Sequence, residues 1–392
     1  MRIVKNIRLV LLLIAVCLIA YSYHPGNFDS AGKIISNSYN KYALVMIAAS
    51  FILSIGTIKN SISIQPIRVF LILLGVVSLS FMLLYSLNLV EGLHEVRALL
   101  ISFIALLFGT MLKCNNKEIL TISFFYIIAV LLVGYLQITQ NIGDFVIEDT
   151  YINTAKNAFG PMIAIAGVLS VLIAFTHGYN KLVRVFMAVT AIIALIEVAT
   201  VRARLVTITF ILLFLFILFK YFKVMTSKNK GRGSVVIYLV VLITILAIIF
   251  SSLQEYIWNS LIQNKEGDFT SGRLTAYYDG MDIFLSSPFF GNLVLQEKVG
   301  WVHNYLLLNL STYGLVFSLP LLVLYFYLVY VIILGLKKRD LFIPQNFGYI
   351  IILISFIVSL GEPTYPYGPG TTNFLPFLLL GVSLNHNKYN KI

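Results

Sequence analysis

Histidine is the side chain whose ordinary pKa lies nearest neutrality, which suits it to take up and return a proton during a reaction. The chain has five: His24, His94, His177, His303 and His386. His303 stands in GWVHNYLLLNLSTYGLVF, just ahead of a long apolar run. Arginine grips phosphate through a bidentate fork, and an arginine at the border of an apolar run is costly unless it snorkels or meets an anion. Arg202 and Arg204 separate two apolar runs in ATVRARLVTITF, Arg97 opens another, and Arg273 opens the stretch GRLTAYYDGMDIFLSSPFFG. Arginines beside His303 would lower its pKa and favour the neutral, proton-accepting imidazole. Each arginine also has a plainer reading, as a snorkelling anchor or a partner of Glu91, Glu95 or Glu197. The plainer reading of His303 is a polar residue at a membrane border. Asp279 and Asp282 are three apart and could share a helix face, but without an Asp-x-Asp companion they read as a solvated acidic face, and no metal is expected. Cys17 and Cys114 show neither a disulfide framework nor metal-ligand spacing.

These residues need a scaffold, and composition says which kind. The 392 residues are 59% hydrophobic and 11% charged, against about a quarter charged in soluble domains. So apolar a chain belongs in a bilayer. Its net charge of +12 fits basic cytoplasmic loops better than nucleic-acid binding. A spanning helix needs about 20 mostly apolar residues. Twelve candidate spans lie near 7–23, 41–58, 67–88, 98–112, 119–139, 158–176, 182–199, 204–222, 234–252, 312–335, 345–360 and 372–385. The expectation is an all-α, polytopic transmembrane bundle forming one integral membrane domain over residues 1–392. The first run could pass for a signal peptide. It has no small-residue cleavage site, and Val16 before Cys17 does not fit a lipoprotein box, so a retained helix is expected.

With the N-terminus inside, most of the 28 basic residues fall in inner segments, together with only Glu118 and Asp340 of the acidic ones. This asymmetry predicts that both termini are cytoplasmic. Lys33, Lys41, Arg97, Lys156, Arg202, Arg204, Lys265, Arg273 and Lys298 then remain outside. The longest outer loop, 253–311, lies between the ninth and tenth spans. In it Leu274, Tyr278, Met281 and Leu285 recur at helical spacing, Thr270 or Ser271 could cap the start, and Pro288 ends the pattern. This predicts an amphipathic helix at the outer membrane surface. Tyr277, Tyr278, Trp301 and Tyr305 read as an interfacial belt, or alternatively as sugar-stacking rings. If a helix runs on from His303, Gly314 returns to nearly the same face, where its small size would admit a neighbouring helix.

His303–Asn304, nine residues and then Gly314 resembles the His-[Asn/Ser/Gln]-x9-Gly pattern of the O-antigen ligase family, which is related to the Wzy O-antigen polymerases. Phe317 stands where that pattern continues with Gly, Thr or Tyr. Gly272–Arg273 with Pro288 and Gly291 resembles the Gly-Arg…Pro-x-x-Gly stretch of that family's large periplasmic loop. Arg202 resembles the arginine opening a helix after a short outer loop, with Val201 in place of the usual Ser, and Asn157 resembles the asparagine ahead of an earlier helix. The likeness covers roughly residues 150–385.

The resemblance implies a metal-independent glycosyltransferase of the bacterial cytoplasmic membrane, without cofactor, acting on undecaprenyl-pyrophosphate-linked oligosaccharides in the outer leaflet. By that analogy Arg273 and Arg202, with Arg204 and Arg97, hold the pyrophosphate, Asn304 and Asn157 contact substrate, and His303 takes the proton of the attacking hydroxyl. A chain-length regulator is a candidate protein partner; nucleic acid is not. Polymerisation of surface polysaccharide, O antigen or capsule, is the first reading. Ligation of finished glycan to a lipid A core is the second. A lipid-linked oligosaccharide flippase is the third, although transporters favour midplane charges and repeated halves, and neither is seen here.

Overall fold

A computed structural model describes residues 2–27, 38–87, 89–90, 93–140, 153–176, 179–201, 203–227, 273–295 and 302–389. They form α1 (Arg2–Tyr21), α2 (Ser38–Ile52), α3 (Ile58–Ile62), α4 (Gln65–Ser86), α5 (His94–Met111), α6 (Asn116–Gln140), α7 (Asn153–Phe175), α8 (Lys181–Thr200), α9 (Arg204–Ser227), α10 (Arg273–Ser286), α11 (Asn292–Leu295), α12 (Tyr305–Lys338), α13 (Gly348–Val358) and α14 (Phe374–Tyr389). Seven of these (α1, α4, α6, α7, α8, α9 and α12) are long and apolar enough to cross a membrane, and there are eight candidates if α2 and the bent segment after it count as one. The chain is thus a multi-pass helical membrane protein. The predicted span at 234–252 and the cap candidates Thr270 and Ser271 lie outside the described residues.

Local sequence explains where several helices start. Asn115 and Glu118 form a reciprocal capping box at the head of α6: the Glu118 N–H donates to Asn115 Oδ1 (2.9 Å) and the Asn115 N–H to Glu118 Oε2 (3.0 Å). Pro66 occupies the first turn of α4, where a missing N–H costs nothing. Asn304 caps α12 through its Oδ1, which accepts from the Leu307 N–H at 3.0 Å.

α7, α13 and the first half of α14 are buried almost throughout. α13 is 11 residues long, about 16 Å at 1.5 Å per residue, and can be short because other helices, not lipid, surround it. α14 crosses α5 backbone to backbone at Gly109 and Gly381, where a Cβ on either glycine would strike the opposite main chain. The surrounding helices expose large apolar side chains such as Leu79, Leu182 and Phe219. Such surface is at home only against lipid.

Contacts sort the loops onto two ends of this bundle. At one end Lys5 pairs with Glu118 (2.7 Å), Arg8 reaches Ser54 (3.3 Å), Arg184 donates to the Ala174 carbonyl (2.8 Å) and Lys220 to that of Leu336 (3.0 Å). At the other end Gln137 donates to the Tyr23 carbonyl (2.6 Å), and the loop joining α13 to α14 meets the starts of α2 and α7.

Candidate functional site

That loop, residues 359–373, is the hub of the second end. Gly361, Glu362, Tyr365, Tyr367, Thr371 and Thr372 are all buried, although the segment is not regular helix. Buried irregular backbone has to satisfy its polar groups from neighbouring protein, and here both its backbone and its side chains are bonded to other helices. The Tyr305 N–H of α12 donates to the Ser359 carbonyl (2.9 Å). Ser102 of α5 donates to the Tyr367 carbonyl (3.0 Å), Tyr365 donates to the Ala158 carbonyl of α7 (3.2 Å), and Thr371 bonds Asn40 of α2 (2.8 Å). Asn373 ties the loop to itself and to α13, through the Gly368 carbonyl and Ser355, both at 2.6 Å.

Onto this platform α10 brings Arg273, whose Nη2 lies 2.6 Å from Glu362 Oε1. The Glu362 side chain is 8% exposed and that of Arg273 27% exposed. Removing either partner would leave a mostly buried charge uncompensated. One face of α10 is held against α12. Gly280 leaves room for Val302, whose Cγ2 would lie 2.9 Å from an added Cβ. The Tyr277 hydroxyl is shared between the carbonyls of His303 (2.9 Å) and Leu360 (2.8 Å). Its pKa is raised, chiefly by burial. The flank of the helix beside that face carries Leu274, Tyr278, Met281 and Leu285, all exposed. This is the stripe predicted from their spacing.

His303 is half-buried between α10 and the hub loop. Its pKa is lowered from the usual value, first by burial and second by the Arg273 guanidinium. Both effects favour the neutral imidazole, which can accept a proton. Asn304 sits beside it with both ends of its amide used by the protein: Oδ1 caps α12, and Nδ2 donates to the Leu360 carbonyl at 3.1 Å. Asn304 thus joins the head of α12 to the hub loop directly beside His303.

Three other expected site residues stand on neighbouring helices of the same end. Arg204 opens α9, and the adjoining Leu205 packs on Gly361. Asn157 precedes Ala158, the residue tied to Tyr365. Arg97 is exposed in the early turns of α5. Arg202 and Glu91 lie outside the described residues. Glu197 is buried against Gly134 of α6, and Arg273 pairs instead with Glu362, which the sequence did not single out. Asp279 and Asp282 lie on the exposed part of α10, and among the described residues no group of three or more His, Cys, Asp or Glu is placed to hold a metal ion.

Gly314 has a different role from the one expected. α12 is not continuous there: Gly314 has φ +63° and ψ −175°, a conformation essentially confined to glycine. His303 precedes the cap of α12, so no common helix face joins the two residues. The segment against Gly314 is no helix but the turn that follows α10. The Leu315 N–H donates to the Pro288 carbonyl (2.9 Å) and the Val316 N–H to that of Phe289 (3.1 Å). Gly291, with φ +56°, lies so close that an added Cβ would be 2.6 Å from the Gly314 nitrogen. The two glycine-bearing motifs therefore clasp one another, and Phe317 packs its ring 6.4 Å from that of Phe290.

No protein-family model and no curated protein matches this sequence. What the site can do is therefore read from its own chemistry. A proton-accepting imidazole lies beside a guanidinium, in a half-buried position at one end of a membrane bundle. Such a pair can deprotonate a hydroxyl while a neighbouring anion is held.

Proposed function

We propose that the chain is a polymerase of polyprenyl-linked glycans: a metal-independent glycosyltransferase that joins undecaprenyl-pyrophosphate-linked oligosaccharide units into surface polysaccharide. The observation that carries this reading is the assembly of His303, Arg273 and Glu362 at the end of the bundle opposite Lys5, Arg8, Lys220 and their neighbours. In the proposed topology the chain crosses the cytoplasmic membrane twelve times, with both termini cytoplasmic, because the basic end then faces the cytoplasm. The His303 end faces outward, where the donor is presented.

In the reaction, His303 takes the proton of an acceptor sugar hydroxyl as its oxygen attacks the anomeric carbon of the donor glycan. The bond from that carbon to the pyrophosphate oxygen breaks, and its electron pair leaves with undecaprenyl pyrophosphate. Arg273 stabilises the developing negative charge, with Arg204 on the adjoining helix and Arg97 and Arg202 as further anion contacts. The exposed apolar stripe of α10 lies against the outer leaflet and brings the lipid-borne substrate to this height. Phe317 departs from the ligase pattern at its last position, which favours polymerisation over transfer to a lipid A core.

The test compares wild type and His303→Ala, each purified and given undecaprenyl-pyrophosphate-linked repeat units in the presence of EDTA. Wild type should produce a ladder of lengthened lipid-linked glycan and the variant none, at equal protein levels. Transfer only to a lipid A core acceptor would make the protein a ligase. Transfer to neither would favour a flippase.

A further inference from the structure

The glycosyl-transfer reading assigns a purpose to Arg273 but none to the carboxylate beneath it. Arg273 is the first residue of α10, a helix held on one face only, and an arginine side chain has many rotamers to lose before it can point anywhere. Glu362, by contrast, sits on the hub loop, which is fixed through its backbone to α5 and α12 and through the Tyr365 and Thr371 side chains to α7 and α2. Its carboxylate engages Nη2 of the guanidinium at 2.6 Å. The preceding residue is a glycine. A Cβ at Gly361 would lie 3.2 Å from Arg273 Nη1 and 2.5 Å from Leu205 Cδ2, so the bare backbone is what leaves room for the guanidinium to lie across the loop.

We propose that Gly361 and Glu362 form a cradle that aims the Arg273 guanidinium at the pyrophosphate of a lipid-linked donor beside His303. Both are positioning residues that act through Arg273. A guanidinium has five N–H donors in a planar fork. Fixing one nitrogen on an immobile carboxylate orients the remainder without consuming them. The inference deepens the proposed function and rests on it, but it is tested on binding, which requires no turnover.

The experiment measures the affinity of the purified full-length protein for undecaprenyl pyrophosphate itself, in wild type, Arg273→Ala, Glu362→Ala and the double variant, with thermal unfolding as a check on folding. Glu362→Ala should weaken binding about tenfold, the scale of a lost charge-assisted hydrogen bond. In the double variant the loss should be no greater than in Arg273→Ala alone, because a cradle with nothing to hold has no effect. Gly361→Ala should weaken binding in the same way and lose its effect in the Arg273→Ala background. If Glu362→Ala does not fold, Glu362→Gln, which keeps the side-chain volume but removes the charge that grips the guanidinium, replaces it in the same cycle. Independent, additive losses, or wild-type binding in either cradle variant, would overturn the proposal, as would failure of the wild type to bind the probe. Coupled losses in a wild type that binds but transfers no sugar would leave the cradle standing and remove the polymerase reading.

Discussion

Alanine at Gly314 tests whether the clasp between the turn after α10 and the break in α12 holds the site together. Two costs follow from the structure. The backbone at φ +63°, ψ −175° lies where any residue with a Cβ is strained by about 1–3 kcal/mol. The new methyl would also press into the main chain of Phe289 and Phe290, with the Phe290 nitrogen only 2.5 Å away. Main chain cannot swing aside as a flexible side chain can, so the turn has to lift. Lifting it breaks the bonds from Leu315 to Pro288 and from Val316 to Phe289, each worth about 1 kcal/mol net. The sum is about 3–5 kcal/mol. At about 1.4 kcal/mol per factor of ten, exchange of the Leu315 and Val316 amides should speed up by roughly a hundredfold or more. Hydrogen exchange with mass spectrometry on purified protein reads this directly, with the buried α13 amides as an internal reference. Gly291→Ala, on the other side of the clasp, should accelerate the same two amides. Unchanged protection at Leu315 and Val316 in the Gly314→Ala protein would refute the reasoning.

Other consequences are open to direct measurement. Because burial and Arg273 lower the pKa of His303, its neutral form persists below the usual pH of about 6.5; transfer should fail only as pH falls through that lowered value, and Arg273→Gln should raise the acid limb of the residual rate toward 6.5, whereas a downward shift would contradict this arrangement. Asn304→Ala loses both the α12 cap and the bond to Leu360 and should destabilise the protein by about 1–2 kcal/mol; Asn304→Asp keeps the cap, so it should recover part of that loss in thermal unfolding. Gly381→Leu should prevent α14 from closing on α5 and abolish a stable, monodisperse protein, which size-exclusion chromatography would reveal.

The seven spanning helices were legible because each is a long apolar run, and composition alone placed the chain in a bilayer. The exposed stripe of α10 was equally legible, since Leu274, Tyr278, Met281 and Leu285 keep helical spacing and the helix ends ahead of Pro288. The importance of Gly291 and Gly314 could be read, but not its cause. Sequence spacing assumes a helix that continues, and a positive φ in its middle leaves no mark on hydropathy. Glu362 and its loop were missed for a related reason. SLGEPTYPYGPGTTN has the Gly and Pro content of an exposed turn, and its burial comes from partners far away in the chain. The available signal was a carboxylate following a very short apolar run, together with tyrosines Tyr365 and Tyr367 in what should have been a polar connection.

The hub loop also sets the order in which the protein can be completed. Its bonds join Thr371 to Asn40, Tyr367 to Ser102 and Tyr365 to Ala158, partners separated by most of the chain's length. Contacts of such long range cannot form until both ends have been made. While α12 is entering the membrane, Arg273 and His303 already exist, but the carboxylate that meets Arg273 is still to be synthesised. A nascent chain arrested ahead of residue 359 would hold His303 and Arg273 without the loop that joins them. Synthesis of residues 359–373 is therefore the step that joins Arg273 to Glu362 and closes the site onto α2, α5 and α7.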